Sequence, residues 1–374
     1  MGLETPRRVT WVRTGALGDL LVGLASLQEA LWKWPNHQFT VIGSPLWTEV
    51  LEPGFFPTID RILAIDRKST KGTLYLLDSK SASNPKWIKS EAGTLTEEMK
   101  NSAVTFNARV DSVRQGLPAL FARTTERWGS APGLLNLIYT HRAPHDGKDP
   151  LIHERDVPLL LMDEAESGKP LALTLAERIE RSPRIARWRR EGLPVTGSCK
   201  AEKKNSRLLI NPTSSRIEKA WPKDRFAQLI ASHRFQRLLS ERSLTLALVG
   251  APNERKWLED IADQAKTQVP IITPNSISEL SREVSQSKAV LANTSSVQFL
   301  AASCKTPVAT LMGRARKEIW GPVGANDLVI QSATASQFQR PLKGQDIFEL
   351  ELEAYAEVAV EQVLAALETW NALR

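Results

Sequence analysis

The segment Arg13-Thr14-Gly15-Ala16-Leu17-Gly18-Asp19 indicates how the first part of the chain folds. It follows an apolar run at Arg8–Val12 and precedes Leu20–Trp32, where apolar residues recur at helical spacing. Two glycines allow the backbone to turn sharply and to approach a ligand closely. The pattern predicts a strand, a glycine-rich turn and a helix, with Asp19 at the helix entrance.

Short apolar runs alternate with longer amphipathic stretches along the rest of the 374 residues, which is typical of α/β proteins with parallel sheets. Further strands are predicted at Phe39–Ile42, Ile59–Ile65, Arg207–Ile210, Leu244–Val249, Ala289–Leu291 and Val308–Leu311. Further helices are predicted after Pro45 and Asn253 and over Leu171–Trp188, Lys223–Leu239, Val297–Ser303 and Leu350–Leu373. Between 66 and 101 the sequence is rich in Ser, Lys and Thr and loses periodicity, so we assign no fold there.

The length of the chain suits two domains better than one hydrophobic core. Residues 192–205 carry Gly, Pro, Ser and Lys with little apolar content, as an interdomain linker does. We therefore expect an N-terminal domain over 1–191, a C-terminal domain over 206–349 and a C-terminal helix over 350–374. Two α/β domains indicate a cleft at the carboxyl ends of both sheets, where ligands of such folds bind.

The chain is basic, with a net charge of +7 and a pI near 9.4. Such a surface attracts phosphates, acidic glycans, an anionic membrane leaflet or nucleic acid. The sequence contains no Lys/Arg block, zinc-finger spacing or aromatic-rich single-strand-binding motif. Nucleic acid is therefore not an expected partner.

The sequence also predicts a compartment. No apolar run approaches the length that spans a bilayer, and Met1–Val12 does not have the pattern of a signal peptide. Cys199 and Cys304 are too few for a disulfide framework and fit a reducing cytosol. We expect a cytoplasmic protein.

The segment Asn211-Pro212-Thr213-Ser214-Ser215, followed by Lys219 and Trp221-Pro222, indicates an anion site. Hydroxyls, free backbone N–H groups and a helix N-terminus bind anions together, and a lysine adds a full charge suited to a diphosphate. The alternative is an ordinary polar loop with a helix cap. The clustering of hydroxyls and lysine favours phosphate.

Three other features are open to a structural interpretation. Asp19 is also a preferred N-cap residue. Residues 293–296 follow a strand and precede an apolar helix, so they form either an anion or ribose site or a helix cap. Arg109, Arg114, Arg123 and Arg127 form either a solvated face or a site for an acidic acceptor.

The sequence gives little support for a metal site or for a nucleophilic serine. His141 and His145 have helical spacing, but Pro144 between them favours a loop. There is no Asp-x-Asp motif that would hold a metal on a sugar nucleotide, and no Gly-x-Ser-x-Gly elbow. We expect no metal site and no cofactor.

Taken in order, these segments resemble glycosyltransferase family nine, the ADP-heptose:lipopolysaccharide heptosyltransferases. Residues 15–19 match the family's Gly-x-x-Gly-Asp, and 211–222 match its strand, hydroxyl-rich loop and Lys-x-Trp-Pro. Residues 248–254 resemble its glycine-rich turn followed by an acid. The block 293–298, with 306–313 and 320–322 after it, is similar to its Asp-Thr-Gly and histidine block. The resemblance covers nearly the whole chain except 66–101.

The resemblance implies a GT-B fold, with two Rossmann-like α/β domains and a cleft between them. The N-terminal domain is then on the acceptor side, and the C-terminal domain binds the nucleotide sugar. The implied reaction is inverting and metal-independent: it moves a sugar, foremost a heptose from ADP-heptose, to a lipopolysaccharide core or related envelope glycan. An acidic, lipid-linked acceptor of this kind suits a cytoplasmic protein peripheral to the inner face of the membrane.

The resemblance also implies roles for individual residues. Asp19 is expected to take the proton of the acceptor hydroxyl as that hydroxyl attacks the anomeric carbon. Glu254 is expected to accept hydrogen bonds from the ribose. Donor and phosphate contacts are expected from Thr213, Ser214, Ser215, Lys219, Asn293, Thr294, Ser295 and Gln298. Acceptor contacts are expected from Gly18, Arg109 and Arg114.

The block 293–298 departs from the family pattern. Asn293 stands in place of an aspartate, Ser295 in place of a glycine and Gln298 in place of a histidine. Asparagine keeps hydrogen bonding but loses charge. Two hypotheses stay open: an active glycosyltransferase, favoured by Asp19 and Lys219, and a non-catalytic descendant that binds a nucleotide sugar or glycan, favoured by the altered block.

Overall fold

A computed structural model describes residues 7–51, 59–65, 74–78, 86–90, 94–108, 113–131, 133–142, 152–167, 173–196, 199, 205–214, 219–332 and 347–374. The chain divides into two compact units, Met1–Arg190 and Glu191–Arg374. Each unit is built on one sheet with helices packed against it. In the part of the chain that the structure covers, no helix has the length and apolar character to cross a membrane.

The first unit contains an eight-stranded sheet in the order β5-β4-β3-β2-β1-β6-β7-β8. The strands are β1 Arg8–Val12, β2 Gln38–Gly43, β3 Ile59–Ile65, β4 Leu74–Asp78, β5 Lys86–Ser90, β6 Ser102–Asn107, β7 Glu126–Gly129 and β8 His141–Arg142. The helices are α1 Leu17–Lys33, α2 Trp47–Val50, α3 Thr94–Lys100, α4 Val113–Phe121, α5 Asp156–Ser167, α6 Leu175–Arg181 and α7 Pro183–Glu191. A short 3-10 helix spans Gly133–Ile138.

The edge of this sheet departs from the expected parallel arrangement. β4 pairs with β3 and with β5 in antiparallel fashion, whereas β1, β2, β3, β6, β7 and β8 are parallel to their neighbours among these strands. Both antiparallel strands come from 66–101, the segment for which the sequence predicted no fold. The parallel pairing typical of α/β proteins therefore does not extend to this edge of the sheet.

The second unit contains a six-stranded parallel sheet in the order β11-β10-β9-β12-β13-β14. The strands are β9 Arg207–Asn211, β10 Thr245–Val249, β11 Ile271–Ile272, β12 Ala289–Asn293, β13 Val308–Met312 and β14 Leu328–Gln331. The helices are α8 Lys223–Ala231, α9 His233–Glu241, α10 Arg255–Ala265, α11 Ile277–Gln286, α12 Ser296–Ser303, α13 Lys317–Trp320, α14 Ile347–Ala356 and α15 Val360–Thr369. Short 3-10 helices span Pro252–Glu254 and Asn371–Leu373.

Both strand orders reverse direction once within the sheet. In the first unit the reversal falls between β1 and β6, and in the second it falls between β9 and β12. Ligands of doubly wound sheets bind beyond the carboxyl ends of the strands at such a switch point. The two switch points are therefore where binding or catalytic groups are expected.

Buried apolar side chains pack the elements that flank the two switch points. In the second unit one continuous core joins the sheet to α8, α9 and α15, with Trp221 and Phe226 wholly buried in it. In the first unit α1 is buried along most of its length, including Leu20, Leu21 and Leu24. Burial of such side chains contributes about 1.5–3 kcal/mol each to folding.

Three helices predicted as continuous are interrupted. The helix predicted over 223–239 breaks at Ser232, whose backbone is extended and whose hydroxyl accepts a hydrogen bond from the Phe235 N–H to cap α9. The helix predicted over 171–188 breaks before Pro183, which starts α7 because proline has no N–H to donate there. The C-terminal helix predicted over 350–374 is two helices, since Val358 between them packs in the core.

The two cysteines depart from the expectation of a reduced protein without disulfides. Cys199 and Cys304 are joined by a disulfide across 105 positions of sequence. Beside them, the ammonium of Lys305 donates a hydrogen bond to the carbonyl of Leu193 at 2.7 Å. Together these contacts fix the segment after α7 to the end of α12.

Candidate functional site

The glycine-rich turn places Asp19 at the first switch point. α1 begins at Leu17 rather than Leu20, so Asp19 lies within its first turn, and the N-cap is Ala16. The Oδ2 atom of Asp19 accepts a hydrogen bond from the N–H of Ala16 at 2.9 Å. Its other carboxylate oxygen makes no hydrogen bond to the part of the chain that the structure covers. Asp19 thus stabilises the turn with one oxygen and leaves the other available.

Only glycine fits at position 15 of this turn. Gly15 has a φ of +156°, and a Cβ atom there would lie 2.4 Å from the Cγ atom of Asp19. Any larger residue would therefore displace the carboxylate. The turn therefore lies against the Asp19 side chain, and its approach to a ligand stays a prediction.

Arg13 is a residue whose role the sequence pattern did not reveal. It is wholly buried at the end of β1, and its guanidinium donates hydrogen bonds to the backbone carbonyls of Asp19 and Ala108. It also forms an ion pair with Glu154 at 3.2 Å. Gly23 makes room for it, since a Cβ there would lie 2.6 Å from its Cδ atom. Arg13 therefore joins the ends of β1 and β6 across the first switch point.

The second switch point begins with a chain of hydrogen bonds from the end of β9. The Asn211 amide donates to the carbonyl of Val249 at 2.9 Å and to the hydroxyl of Thr213 at 3.1 Å. That hydroxyl donates to the Oε2 atom of Glu254 at 2.8 Å, which also accepts the N–H of Ala251 at 2.7 Å. Glu254 is thus held in place through one of its oxygens.

Asn293 lies at the end of β12 and is wholly buried. Its Oδ1 atom accepts a hydrogen bond from the N–H of Trp221 at 3.0 Å, and its Nδ2 atom donates to the carbonyl of Pro212 at 2.9 Å. The side chain therefore contacts both ends of the loop between β9 and α8.

The other residues of the 293–298 block also contact protein. The Thr294 hydroxyl donates to the carbonyl of Leu311 at 3.2 Å. Ser295 is the N-cap of α12, and its hydroxyl donates to Asn211 at 3.4 Å. Gln298 donates to the carbonyl of Trp320 at 3.0 Å, while its buried Oε1 atom has no hydrogen-bond partner among the residues described.

Ser214 and Lys219 differ from their neighbours. Both are half-exposed, and neither makes a side-chain hydrogen bond or ion pair to a residue that the structure describes. Ser215, the third predicted hydroxyl, lies outside the described residues. Ser214 and Lys219 are therefore the hydroxyl and cation of this loop that remain available to an anion.

The predicted acceptor residues are only partly described. Gly18 lies half-buried in the first turn of α1. Arg109 lies outside the described residues, and of Arg114 only the backbone, in α4, is described. Arg127 donates to the carbonyls of Ile138 and Thr124 at 2.7 and 2.6 Å, so its guanidinium supports the local backbone.

No metal site emerges from the described part of the chain, where no three His, Cys, Asp or Glu side chains are grouped to hold an ion. His141 stacks on Trp128 with ring centroids 4.4 Å apart, and His145 lies outside the described residues. Burial lowers the pKa of His141 below its usual value.

The chain is thus a protein of two α/β units, each with polar groups gathered at the switch point of its sheet. The family model for glycosyltransferase family 9 (heptosyltransferase) matches residues 127–348, more than half of the chain. The chain belongs to this family and is a glycosyltransferase. No curated protein matches the sequence.

Solved structures show the same fold. A family 9 glycosyl transferase from Veillonella parvula has a TM-score of 0.64 and 18% identity, with 98% of this chain and 97% of that chain covered. E. coli heptosyltransferase WaaC with ADP-2-deoxy-2-fluoro heptose has a TM-score of 0.60 and 16% identity, with 96% and 99% covered. E. coli ADP-heptose lps heptosyltransferase II has a TM-score of 0.58 and 15% identity, with 98% of each chain covered. The predicted α/β GT-B fold is confirmed.

Proposed function

We propose that this glycosyltransferase moves a heptose from ADP-heptose to a lipopolysaccharide core or a related envelope glycan, with inversion and without a metal. The observation that carries the proposal is the half-buried carboxylate of Asp19, with one oxygen available beside a turn that only glycine fits. The similar E. coli structures of WaaC contain ADP or ADP-2-deoxy-2-fluoro heptose, which supports the choice of donor.

In the proposed reaction the available oxygen of Asp19 takes the proton from the attacking acceptor hydroxyl. The acceptor oxygen forms a bond to the anomeric carbon as the bond from that carbon to the diphosphate breaks. The nucleoside diphosphate leaves with the electron pair. Because a single displacement occurs from the opposite face, the configuration at the anomeric carbon inverts.

The leaving diphosphate is assigned to the loop after β9. Lys219 and the hydroxyl of Ser214 are unengaged by described residues, so they can stabilise the charge that develops on the phosphate. Ser215 is proposed to contact the diphosphate as well, from the sequence alone. Thr213 acts through Glu254, to which it donates, and Glu254 retains a second oxygen for the ribose hydroxyls.

The acceptor is assigned to the first unit, with Gly18 beside the base and Arg109 and Arg114 for its acidic groups. The net charge of +7 supports an acidic, lipid-linked acceptor. We propose a cytoplasmic protein that meets this acceptor at the inner face of the membrane; this rests on the proposed donor and acceptor and not on the cysteines, which form a disulfide. The domain roles then follow: acceptor binding over 1–191 and donor binding over 206–349.

A thermal-shift screen against ADP-, GDP- and UDP-sugars tests the donor. A ligand that binds only the folded state adds about 2.7 kcal/mol of stability at a hundredfold excess over its Kd. ADP-heptose is expected to give the largest shift, and transfer to a purified core acceptor is expected to follow. A larger shift with a GDP- or UDP-sugar would contradict the proposed donor.

A non-catalytic descendant is the second candidate, and the engaged side chains of Asn293 and Gln298 favour it. Both positions carry substitutions relative to the family pattern, and neither side chain presents a charge. The same screen followed by a transfer assay separates the two candidates. Binding of a nucleotide sugar without turnover for any acceptor tested would support the descendant.

A further inference from the structure

The loop between β9 and α8 is held by a single side chain at both of its ends. Asn293 accepts from the N–H of Trp221, at one end, and donates to the carbonyl of Pro212, at the other. Trp221 is itself fixed, because its ring is wholly buried and its indole N–H donates to the carbonyl of Val358 at 2.8 Å. The end of the loop at Pro212 follows the last residue of β9, Asn211, whose amide donates to the carbonyl of Val249 at 2.9 Å.

The two contacts require opposite hydrogen-bonding groups at fixed positions. A carboxamide carries an acceptor oxygen and a donor NH2 group, whereas an ionised carboxylate carries acceptors only. The partners of Asn293 are backbone groups, and leaving such groups unsatisfied when they are buried is costly. An asparagine therefore fits this position better than the aspartate of the family pattern.

The side chain of Asn293 presents no exposed atom to a ligand. Its exposed fraction is 0%, and both polar atoms make a hydrogen bond to the protein. The amide has a second N–H and the oxygen a second lone pair, but a wholly buried side chain offers neither to a donor sugar. Ser214 and Lys219, by contrast, lie on the loop that Asn293 closes and are half-exposed.

We propose that Asn293 is a positioning residue: it closes the loop after β9, in the sense that it joins the described ends at Pro212 and Trp221, and thereby sets Ser214 and Lys219 for the diphosphate of the donor. This inference rests on the proposed function, since it takes that loop as the diphosphate site. It departs from the role implied by the family pattern, in which position 293 contacts the donor directly. The ligand class is a nucleoside diphosphate, recognised through its phosphates.

The test compares Asn293→Asp, Asn293→Ala and the control Asn371→Asp, in which an exposed asparagine of the same unit is changed in the same way. Binding of ADP, GDP and UDP is measured by calorimetry, each against its own nucleoside. At about pH 8, Asn293→Asp should weaken diphosphate binding roughly ten- to a hundredfold, because the carboxylate faces the Pro212 carbonyl. Nucleoside binding and the control should change little.

The pH dependence of Asn293→Asp is the decisive readout. A protonated carboxyl donates and accepts, as the amide does, so burial between these partners raises the pKa of the introduced group in the folded protein. The closed loop is then favoured below the unfolded pKa of that group and lost as pH rises through its folded pKa. The deficit relative to the wild type should therefore shrink as pH falls from about 8 to about 5. Asn293→Ala should show a deficit at both pH values.

Several results would overturn the proposal. One is an Asn293→Asp variant that binds the diphosphates with wild-type affinity at about pH 8. A second is the following pair of results: Asn293→Ala binds the diphosphates with wild-type affinity, and Asn293→Asp binds them more weakly at every pH. That pair would place the side chain against the ligand. Equal losses for nucleoside and diphosphate would indicate general disruption of the fold and would also overturn it.

Hydrogen exchange separates this proposal from the proposed function. In the ligand-free protein, the amide of Trp221 should exchange at least about tenfold faster in Asn293→Ala than in the wild type, because its acceptor is gone. Unchanged exchange would overturn the loop closure whatever the ligand. If the wild type binds none of the three diphosphates, the proposed donor site fails, while faster exchange would still support closure of the loop by Asn293.

Discussion

At the first switch point a charged side chain, Arg13, joins the end of β1 to the end of β6, whereas at the second a neutral amide, Asn293, joins the end of β12 to the end of β9. Both side chains are wholly buried and both hold backbone carbonyls. The difference lies in what surrounds them. Arg13 contacts the backbone of Asp19, whose carboxylate accepts one hydrogen bond, from the N–H of Ala16, whereas the Oε2 atom of Glu254 accepts two, from Thr213 and Ala251.

This difference indicates that the two switch points have different roles. The first switch point leaves one carboxylate oxygen of Asp19 available beside Gly15. The second engages most of its polar side chains in shaping a loop and leaves a hydroxyl, an ammonium and one carboxylate oxygen available, at Ser214, Lys219 and Glu254. Reactive and binding groups are best held by supporting residues whose own positions are fixed.

The largest effect is expected at Asp19. Asp19→Asn keeps an oxygen that can accept the N–H of Ala16 but cannot take a proton, so transfer should fall at least about a hundredfold. The melting temperature should change little. The steady-state rate and a thermal melt of the same sample provide the measurement. A rate that stays at the wild-type level would remove Asp19 from the chemistry and leave it as a helix-capping residue.

A matched pair of glycines compares the two turns directly. In Gly15→Ala the new Cβ would meet the Asp19 carboxylate at 2.4 Å at a φ unfavourable to alanine, whereas in Gly250→Ala it would lie 3.0 Å from the Glu254 carboxylate. Gly15→Ala should cost about 1–3 kcal/mol of stability and lower transfer, and Gly250→Ala should cost less than about 1 kcal/mol. Denaturant unfolding and turnover per folded molecule provide the measurement. Equal effects of the two substitutions would contradict a special constraint at the first turn.

How far the sequence predicts this arrangement depends on the range of the contacts. β1 and β3 have the predicted bounds, because their apolar patterns are local. β8 and β11 have two residues each, too few to show a period. A sequence also does not reveal that Arg13 meets a carbonyl 95 positions away, or that Asn293 meets one 81 positions away.

The candidate residues show the same limit. The sequence indicates hydroxyls and a lysine after β9, but it does not distinguish Thr213, whose hydroxyl is engaged by Glu254, from Ser214, whose hydroxyl is not. Likewise, the family resemblance implied that Asn293 contacts the donor, whereas its described contacts are with the backbone of another loop. The chemistry of a side chain is local, but its availability is decided by the fold.

Lys219→Ala should weaken binding of the nucleoside diphosphate about tenfold, the scale of one charge-assisted hydrogen bond, with little change for the nucleoside. The control is Lys256→Ala, which removes an exposed lysine from α10 in the same unit. Calorimetric titration of both variants provides the measurement. Equal weakening by the two substitutions would attribute the effect to net charge and not to a contact.

The smallest effect is expected at the hydroxyl of Ser214, which we compare with the neighbouring hydroxyl of Thr213. Ser214→Ala removes a half-exposed hydroxyl with no described protein partner, so we expect diphosphate binding to weaken about three- to tenfold with unchanged stability. Thr213→Ala removes a hydroxyl that donates to Glu254 at 2.8 Å and accepts from Asn211 at 3.1 Å. Its main effect should be a loss of about 1–2 kcal/mol in the free energy of unfolding.

The affinity for the diphosphate and the free energy of unfolding are measured for both Ser214→Ala and Thr213→Ala. A hydroxyl that binds the ligand changes affinity, and a hydroxyl engaged by the protein changes stability first. If Thr213→Ala weakens diphosphate binding more than Ser214→Ala while stability stays unchanged, the Thr213 hydroxyl must turn from Glu254 to the phosphate when the ligand binds. The hydrogen-bond chain from Asn211 to Glu254 would then be a ligand-free arrangement, and the second switch point would resemble the first in keeping its polar groups available.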